Sequence, residues 1–115
     1  MGYFKDVEKQ SGEGFVYVYS GTSLPELEKM IDSLMVSQRY RHSGNGIYER
    51  GSKTKRFWLG AFHKYFRFKL STDASSPDGI KVMFVKDSSG ISGGLIGMNQ
   101  IKTETERLRM LFQQL

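Results

Sequence analysis

The 115-residue sequence contains no cysteine, only two prolines and two histidines, and no long apolar run. Without cysteine there is no disulfide framework, no thiolate zinc site and no cysteine nucleophile. Because it has no stretch of about 18 or more apolar residues, the sequence predicts no membrane-spanning helix. The start of the chain also lacks the apolar segment of a signal peptide. A complete chain of this kind is expected in the cytoplasm, and one that has lost a signal sequence is expected to be exported.

Aromatic residues are plentiful and make up 13% of the chain, within a hydrophobic fraction of 38%. Aromatic side chains bury large areas, so a small number of them can fill the core of one domain. Residues 1–14 are polar and contain glycine, which predicts a flexible leader. The remainder, residues 15–115, is expected to form a single α+β domain.

Two kinds of hydrophobic periodicity divide this domain into helices and strands. Ser23, with Pro25 in the first turn and Glu26 three residues after the cap, is typical of a helix start. Alternating residues in the segment 65–70 predict an antiparallel strand with one face in water. The expected elements are, in order, a strand at 15–19, a helix from 24 to about 38, strands at 47–50, 55–59, 65–70 and 80–85, and a helix after the loop 88–97. Gly60 marks either a tight turn or a bulge in one long strand.

The predicted order is β-α-β-β-β-β-α, which indicates an α+β fold of two layers. We expect a curved antiparallel sheet with two helices packed on one face. In element order the segment 15–115 resembles the TATA-binding-protein-like fold and, more loosely, half of a helix-grip domain. The resemblance is one of topology and rests on no motif, so it implies a fold but no activity, cofactor or site.

Positive charge is concentrated in one third of the chain. The segment from Arg39 to Lys69 holds nine basic residues and one acid, a net +8, which leaves −3 for the rest of a chain whose net charge is +5. This asymmetry favours an anionic partner. The alternative is that the charges only keep one face of the sheet in water.

A glycine-rich loop before the last helix is the most distinctive local feature. Backbone N–H groups exposed by glycines at a helix start can hold an anion. The candidate residues for an anionic ligand are Gly90, Ser92, Gly93, Gly94 and Gly97. The spacing matches neither a dinucleotide-binding fingerprint nor a P-loop. The alternative is that the glycines permit a sharp reversal from strand to helix.

Basic and aromatic residues also interleave, as single-stranded nucleic acid or a protein partner requires. The candidates for such a contact are Arg56, Trp58, Tyr65, Arg67 and Lys69. The alternative is that the aromatic residues are core and the cations are solvated. Two further readings stay open. One is a homodimer anchored by Tyr48, Trp58 and Tyr65. The other is a small apolar ligand in a pocket lined by Phe15, Tyr17, Trp58, Phe66, Phe84 and Phe112.

Catalytic and metal-binding motifs are not found in the sequence, so no catalytic residue, metal ligand or cofactor is predicted. The spacing of Glu104 and Arg107 predicts an ordinary pair on the surface of the last helix. We therefore expect a non-catalytic binding module that takes an anionic or amphipathic ligand, or a protein partner. The open sheet face or the glycine-rich loop would carry this contact. Nucleic-acid binding and a structural role in dimerisation are the alternatives.

Overall fold

The computed structural model describes residues 2–51, 66–87 and 94–115. Within these residues the chain forms six strands and two helices. In chain order they are β1 (Phe4–Ser11), β2 (Gly14–Tyr19), α1 (Leu24–Ser37), β3 (Arg41–His42), β4 (Ile47–Arg50), β5 (Phe66–Asp73), β6 (Ile80–Lys86) and α2 (Gly94–Phe112). The strand predicted at 55–59 and the alternatives at Gly60 lie outside the described residues.

The six strands form one antiparallel sheet in the order β1-β2-β6-β5-β4-β3. Directly opposed residues share a face, so the register sorts the side chains into two sets. Phe84 of β6 lies between Phe15 of β2 and Leu70 of β5, on the side of the helices. Val85 lies next to Lys69 on the other side, which we call the open face. The two-layer α+β fold predicted from the sequence is confirmed.

The first strand corrects the prediction of a flexible leader over residues 1–14. Phe4–Ser11 pairs antiparallel with β2, with irregularities between Phe4 and Asp6 and between Val7 and Lys9. These bulges place Phe4 and Val7, which are three residues apart, opposite the inward-facing Tyr19 and Tyr17. The strict alternation that reveals a strand in a sequence is therefore absent.

Helix α1 begins as the capping signal predicts. The side chain of Ser23 accepts a hydrogen bond from the backbone N–H of Glu26 at 3.3 Å, and proline stands in the first turn. Leu27, Ile31 and Met35 are fully buried against the sheet. Their spacing of four residues gives α1 one continuous apolar stripe.

Helix α2 begins at Gly94, earlier than the sequence predicted, so Gly94 and Gly97 are helical rather than part of a loop. Its C-terminal half closes the core: Phe112 packs against Phe15 and Phe84, with ring centroids 5.0 Å apart in both cases. The buried hydroxyl of Tyr19 donates to the carbonyl of Phe112 at 2.6 Å. Neither helix in the described part of the chain is long and apolar enough to span a membrane.

Candidate functional site

Tyr40, which follows the end of helix α1, places its aromatic side chain against helix α2. Arg39 adopts a left-handed φ of 69°, and the N–H of Tyr40 reaches back to the carbonyl of Met35 at 3.0 Å. This reversal is the Schellman arrangement, in which the residue after the left-handed one often makes an apolar contact. Tyr40 is accordingly 3% exposed.

A buried carboxylate on α2 meets the Tyr40 hydroxyl. Glu104 is 6% exposed and accepts a hydrogen bond from Tyr40 at 2.5 Å. Arg107 donates two parallel hydrogen bonds of 2.8 Å to the same carboxylate, one from Nε to Oε1 and one from Nη2 to Oε2. Arg50 of β4 adds a weaker contact from Nη1 to Oε2 at 3.5 Å. Glu104 and Arg107 thus pair as the spacing predicted, but Glu104 is buried and only Arg107 keeps part of its side chain, 39%, exposed.

Electrostatics keep this carboxylate ionised. Burial alone raises the pKa of Glu104, but the hydrogen bonds from Arg107 and Tyr40 and the two guanidinium charges outweigh it. The pKa of Glu104 therefore lies below its ordinary value. The same contact raises the pKa of Arg107, and burial raises that of Tyr40, so neither group changes its charge near neutrality. The cluster carries two positive charges and one negative charge.

A pocket of about 420 Å³ opens beside this cluster. We call it the α2 pocket. Its lining consists of three polar residues of α2, the charged cluster and one aromatic residue, namely Asn99, Gln100, Thr103, Glu104, Arg107, Arg50 and Phe66. The five α2 residues recur at helical spacing and form one polar stripe. Opposite this stripe, Arg50 and Phe66 are register partners on β4 and β5.

A second cleft, of about 370 Å³, lies between α1 and strands β3 to β5. Asp32 of α1 accepts from the Tyr48 hydroxyl at 2.9 Å and lies 3.2 Å from Nδ1 of His42. The His42 and Tyr48 rings stack with centroids 4.5 Å apart and an angle of 17° between their planes. This α1 cleft therefore contains a tyrosine–aspartate–histidine network whose geometry is fixed by the pairing of β3 with β4.

The open face contains an apolar centre and charges that are largely paired. Met83 and Val85 are 37% and 43% exposed. Arg67, predicted as a contact for nucleic acid or a protein partner, bonds Asp87 at 2.7 Å, and Lys81 lies 3.2 Å from Glu8. Lys69, also predicted, is exposed and has no ion-pair partner within the described ranges.

The other residues predicted for a site are placed as follows. The loop residues Gly90, Ser92 and Gly93 lie outside the described residues, as do the nucleic-acid or partner candidates Arg56, Trp58 and Tyr65. Gly94 and Gly97 lie in the first turn of α2. Only part of each predicted set therefore lies within the described residues, namely Gly94 and Gly97 of the first and Arg67 and Lys69 of the second.

The structure also shows the surroundings of four aromatic residues named in the two alternative readings. Tyr48, predicted as a dimer anchor, is 1% exposed because its ring faces the helices, so it cannot anchor an interface. Phe15, Phe84 and Phe112 pack on one another, as core residues do. These three rings therefore contribute to the core, and the apolar-ligand reading stays a prediction.

Sequence reasoning missed the α2 pocket, although the sequence contains a signal for it. Glu104 follows Ile101 by three residues and precedes Leu108 by four, so it falls on the buried stripe of α2. A carboxylate at such a position needs partners, because burying an unpaired charge is costly. Besides Arg107, its partners are Tyr40 and Arg50, and no pattern of spacing links these two residues to Glu104.

Comparison of the chain with protein-family models, with curated proteins and with solved structures finds no significant match. Among the described residues, no group of three or more histidine, aspartate and glutamate side chains is arranged to hold a metal ion.

Proposed function

We propose that this protein is a non-catalytic binding module that holds an anionic ligand in the α2 pocket. The observation that carries the proposal is the buried Glu104, which fixes two arginines at the pocket while neutralising only one of them. The pocket wall therefore keeps an excess of one positive charge. An anion that binds in the pocket takes the place of the water molecules that would otherwise solvate this positive charge.

Arg50 is the group that offers hydrogen bonds to the ligand. Its guanidinium carries five N–H donors, and within the described residues only one of them makes a contact, the 3.5 Å bond to Glu104. The pairing of β4 with β5 places the backbone of Arg50 at the pocket, and the contact with Glu104 directs Nη1 towards the carboxylate before the ligand arrives. Preorganisation of this kind lowers the entropic cost of binding.

The surroundings of Arg50 suit a small ligand rather than a long polymer. The α2 pocket is within the range of about 300 to 1,000 Å³ that is usual for small-molecule sites. By contrast, Arg67 and Lys81 of the open face are paired with acids. Pairing reduces their attraction for the phosphates of a nucleic acid.

Anion titration followed by NMR tests the proposal, with sodium acetate and inorganic phosphate as probes. We expect the Nε–H signal of Arg50 and the amides of Asn99 and Thr103 to shift together and to saturate. In Arg50→Gln these shifts should disappear, whereas Lys69→Gln, which removes the same charge on the opposite face of the sheet, should retain them. Equal shifts in Arg50→Gln and the unmodified protein would contradict the proposal.

A further inference from the structure

The turn between β3 and β4 contains one of the two asparagines of the chain, which are Asn45 and Asn99. Asn45 is exposed and has a left-handed φ of 53°, and Gly46 after it has a φ of 77°. The N–H of Ile47 donates to the carbonyl of Gly44 at 3.0 Å and closes the turn. Asparagine followed by glycine is the pair that such a turn favours, because both residues tolerate the left-handed region.

The backbone nitrogen of Gly46 is well placed to react with the side-chain amide of Asn45. Within the described residues the Gly46 N–H makes no hydrogen bond, whereas the Gly46 carbonyl accepts from Leu70 at 2.7 Å. Gly46 has no Cβ to shield its nitrogen, and the space beside Gly44 is open to a distance of 4 Å. The nitrogen and the amide belong to neighbouring residues, so their effective concentration is high. Rotation about the bonds of Asn45 is the motion that brings them together.

We infer that Asn45 is a site of spontaneous covalent modification, at which the side-chain amide becomes a carboxylate. The Gly46 nitrogen loses its proton and bonds to Cγ of Asn45, while the bond from Cγ to the amide nitrogen breaks and ammonia leaves. The product is a succinimide ring. Water then opens this ring at either carbonyl carbon. Opening at Cγ gives aspartate, and opening at the backbone carbonyl carbon gives isoaspartate, so one water is consumed and one ammonia released.

Isoaspartate alters the turn more than aspartate does. Its main chain runs through Cβ and Cγ, which adds one atom to the backbone before Gly46. On that side the chain lies close to β5, since the Gly46 carbonyl bonds the N–H of Leu70 and a Cβ on Gly46 would collide with the Leu70 carbonyl. Gly46 also lines the α1 cleft together with His42 and Tyr48. We therefore expect the isoaspartate form to weaken the pairing of the turn with β5. This inference is independent of the α2 pocket.

The test follows both asparagines in the whole protein during storage in mildly alkaline buffer, by proteolysis and peptide mass spectrometry. Asn99 is the internal control, because it is also exposed but the N–H of Gln100 after it belongs to helix α2 and is held in a helical hydrogen bond. We expect Asn45 to convert at least about tenfold faster, the ratio that a barrier lower by about 1.4 kcal/mol gives. Asn45→Gly, which keeps the left-handed turn, should release no ammonia above background.

The variant Asn45→Asp separates the effect of the new charge from that of the longer backbone. It has the same charge as the isoaspartate form and a main chain of normal length. In urea denaturation the purified isoaspartate form should unfold at lower urea than Asn45→Asp. Equal midpoints would contradict the expected effect on the turn. Conversion of Asn45 no faster than that of Asn99 would overturn the inference itself, whatever the stability of the variants.

Discussion

At the scale of single residues, one carboxylate fixes the relation of helix α1 to the edge of the sheet. Asp32 accepts from Tyr48 on β4 and lies beside His42 on β3. Two neighbouring strands are thereby tied to one residue of the helix. Burial, and then the hydrogen bond to Asp32, raise the pKa of Tyr48, so its hydroxyl remains a donor at neutral pH.

The change Tyr48→Phe tests how much the hydrogen bond between Tyr48 and Asp32 contributes to the stability of the fold. It removes the hydroxyl and keeps the ring that stacks on His42. A hydrogen bond to a charged acceptor contributes about 1.5 to 3 kcal/mol, and because Asp32 is half exposed we expect a loss of about 1 to 2 kcal/mol in the free energy of unfolding. Urea denaturation at pH 7 measures it.

A double-mutant cycle with Asp32→Asn provides the control for this prediction. If the two side chains interact as the structure shows, the double variant should lose less stability than the two single variants combined, by about 1 kcal/mol. Losses that simply add would mean that the bond between the hydroxyl and the carboxylate contributes nothing to folding.

At the scale of elements, the tight turn between β3 and β4 depends on two glycines in the left-handed region. Gly44 has φ +87° and Gly46 has φ +77°. They differ in their surroundings: a Cβ on Gly44 would meet nothing within 4 Å, whereas one on Gly46 would collide with the carbonyl oxygen of Leu70. Gly46 also accepts from the N–H of Leu70 at 2.7 Å, so this close approach joins the turn to β5.

The pair Gly46→Ala and Gly44→Ala separates backbone strain from collision. Gly44→Ala should cost about 1 to 2 kcal/mol, the strain of a left-handed residue with a side chain. Gly46→Ala should cost about 1 to 3 kcal/mol more, because the β4–β5 pairing must also shift. Denaturant unfolding of both variants measures the difference, and equal losses would show that the turn moves away from Leu70 without cost.

An element can be predicted from the sequence only where its own residues carry a local signal. Helix α1 and strands β2, β5 and β6 follow from local signals. A cap and an apolar stripe mark α1, a run of β-branched and aromatic residues marks β2, alternation marks β5, and a turn before a short apolar segment marks β6. Strand β1 does not, because its two bulges replace alternation by the three-residue spacing of Phe4 and Val7. The two-residue strand β3 is too short for any period to show.

The candidate site is predicted less well, for a physical reason that Glu104 illustrates. Its pairing with Arg107 is local and follows from their spacing on one helix. Its burial depends on Tyr40 and Arg50, which are 64 and 54 residues away in the sequence. Contacts between residues so far apart in the sequence depend on how whole elements pack, and the local sequence signals of each element do not predict them.

At the scale of the whole molecule, the net charge of +5 makes stability sensitive to the loss of negative charge. Acidification protonates carboxylates and adds to the self-repulsion of a basic chain. Most carboxylates affect stability in acid only through the net charge of the molecule, whereas Glu104 also affects it through its own buried contacts. It is the buried one, with its pKa held below the ordinary value by its partners after the opposing effect of burial.

The sign of the resulting pH dependence follows from linkage. A carboxylate whose pKa is lower in the folded than in the unfolded chain binds its proton more readily when unfolded. Its stabilisation is therefore complete above the unfolded value, about 4.3 for glutamate, and is lost as the pH falls through the folded value. The variant Glu104→Gln lacks this stabilisation at every pH, while all other acids are unchanged.

We therefore expect the unfolding free energies of the unmodified protein and Glu104→Gln to differ most at pH 7 and to converge in acid. Removing one partner of a buried ion pair costs about 3 to 5 kcal/mol, and the two-fifths exposure of Arg107 reduces our expectation to roughly 2 to 3 kcal/mol. Urea denaturation between pH 7 and pH 3 measures the gap, which should narrow below about pH 4.3.

Glu106→Gln, an exposed neighbour with the same change of charge, should show little gap at any pH. A gap that persists unchanged to pH 3, or one that Glu106→Gln reproduces, would mean that general charge rather than the Glu104 cluster governs the acid stability of this molecule.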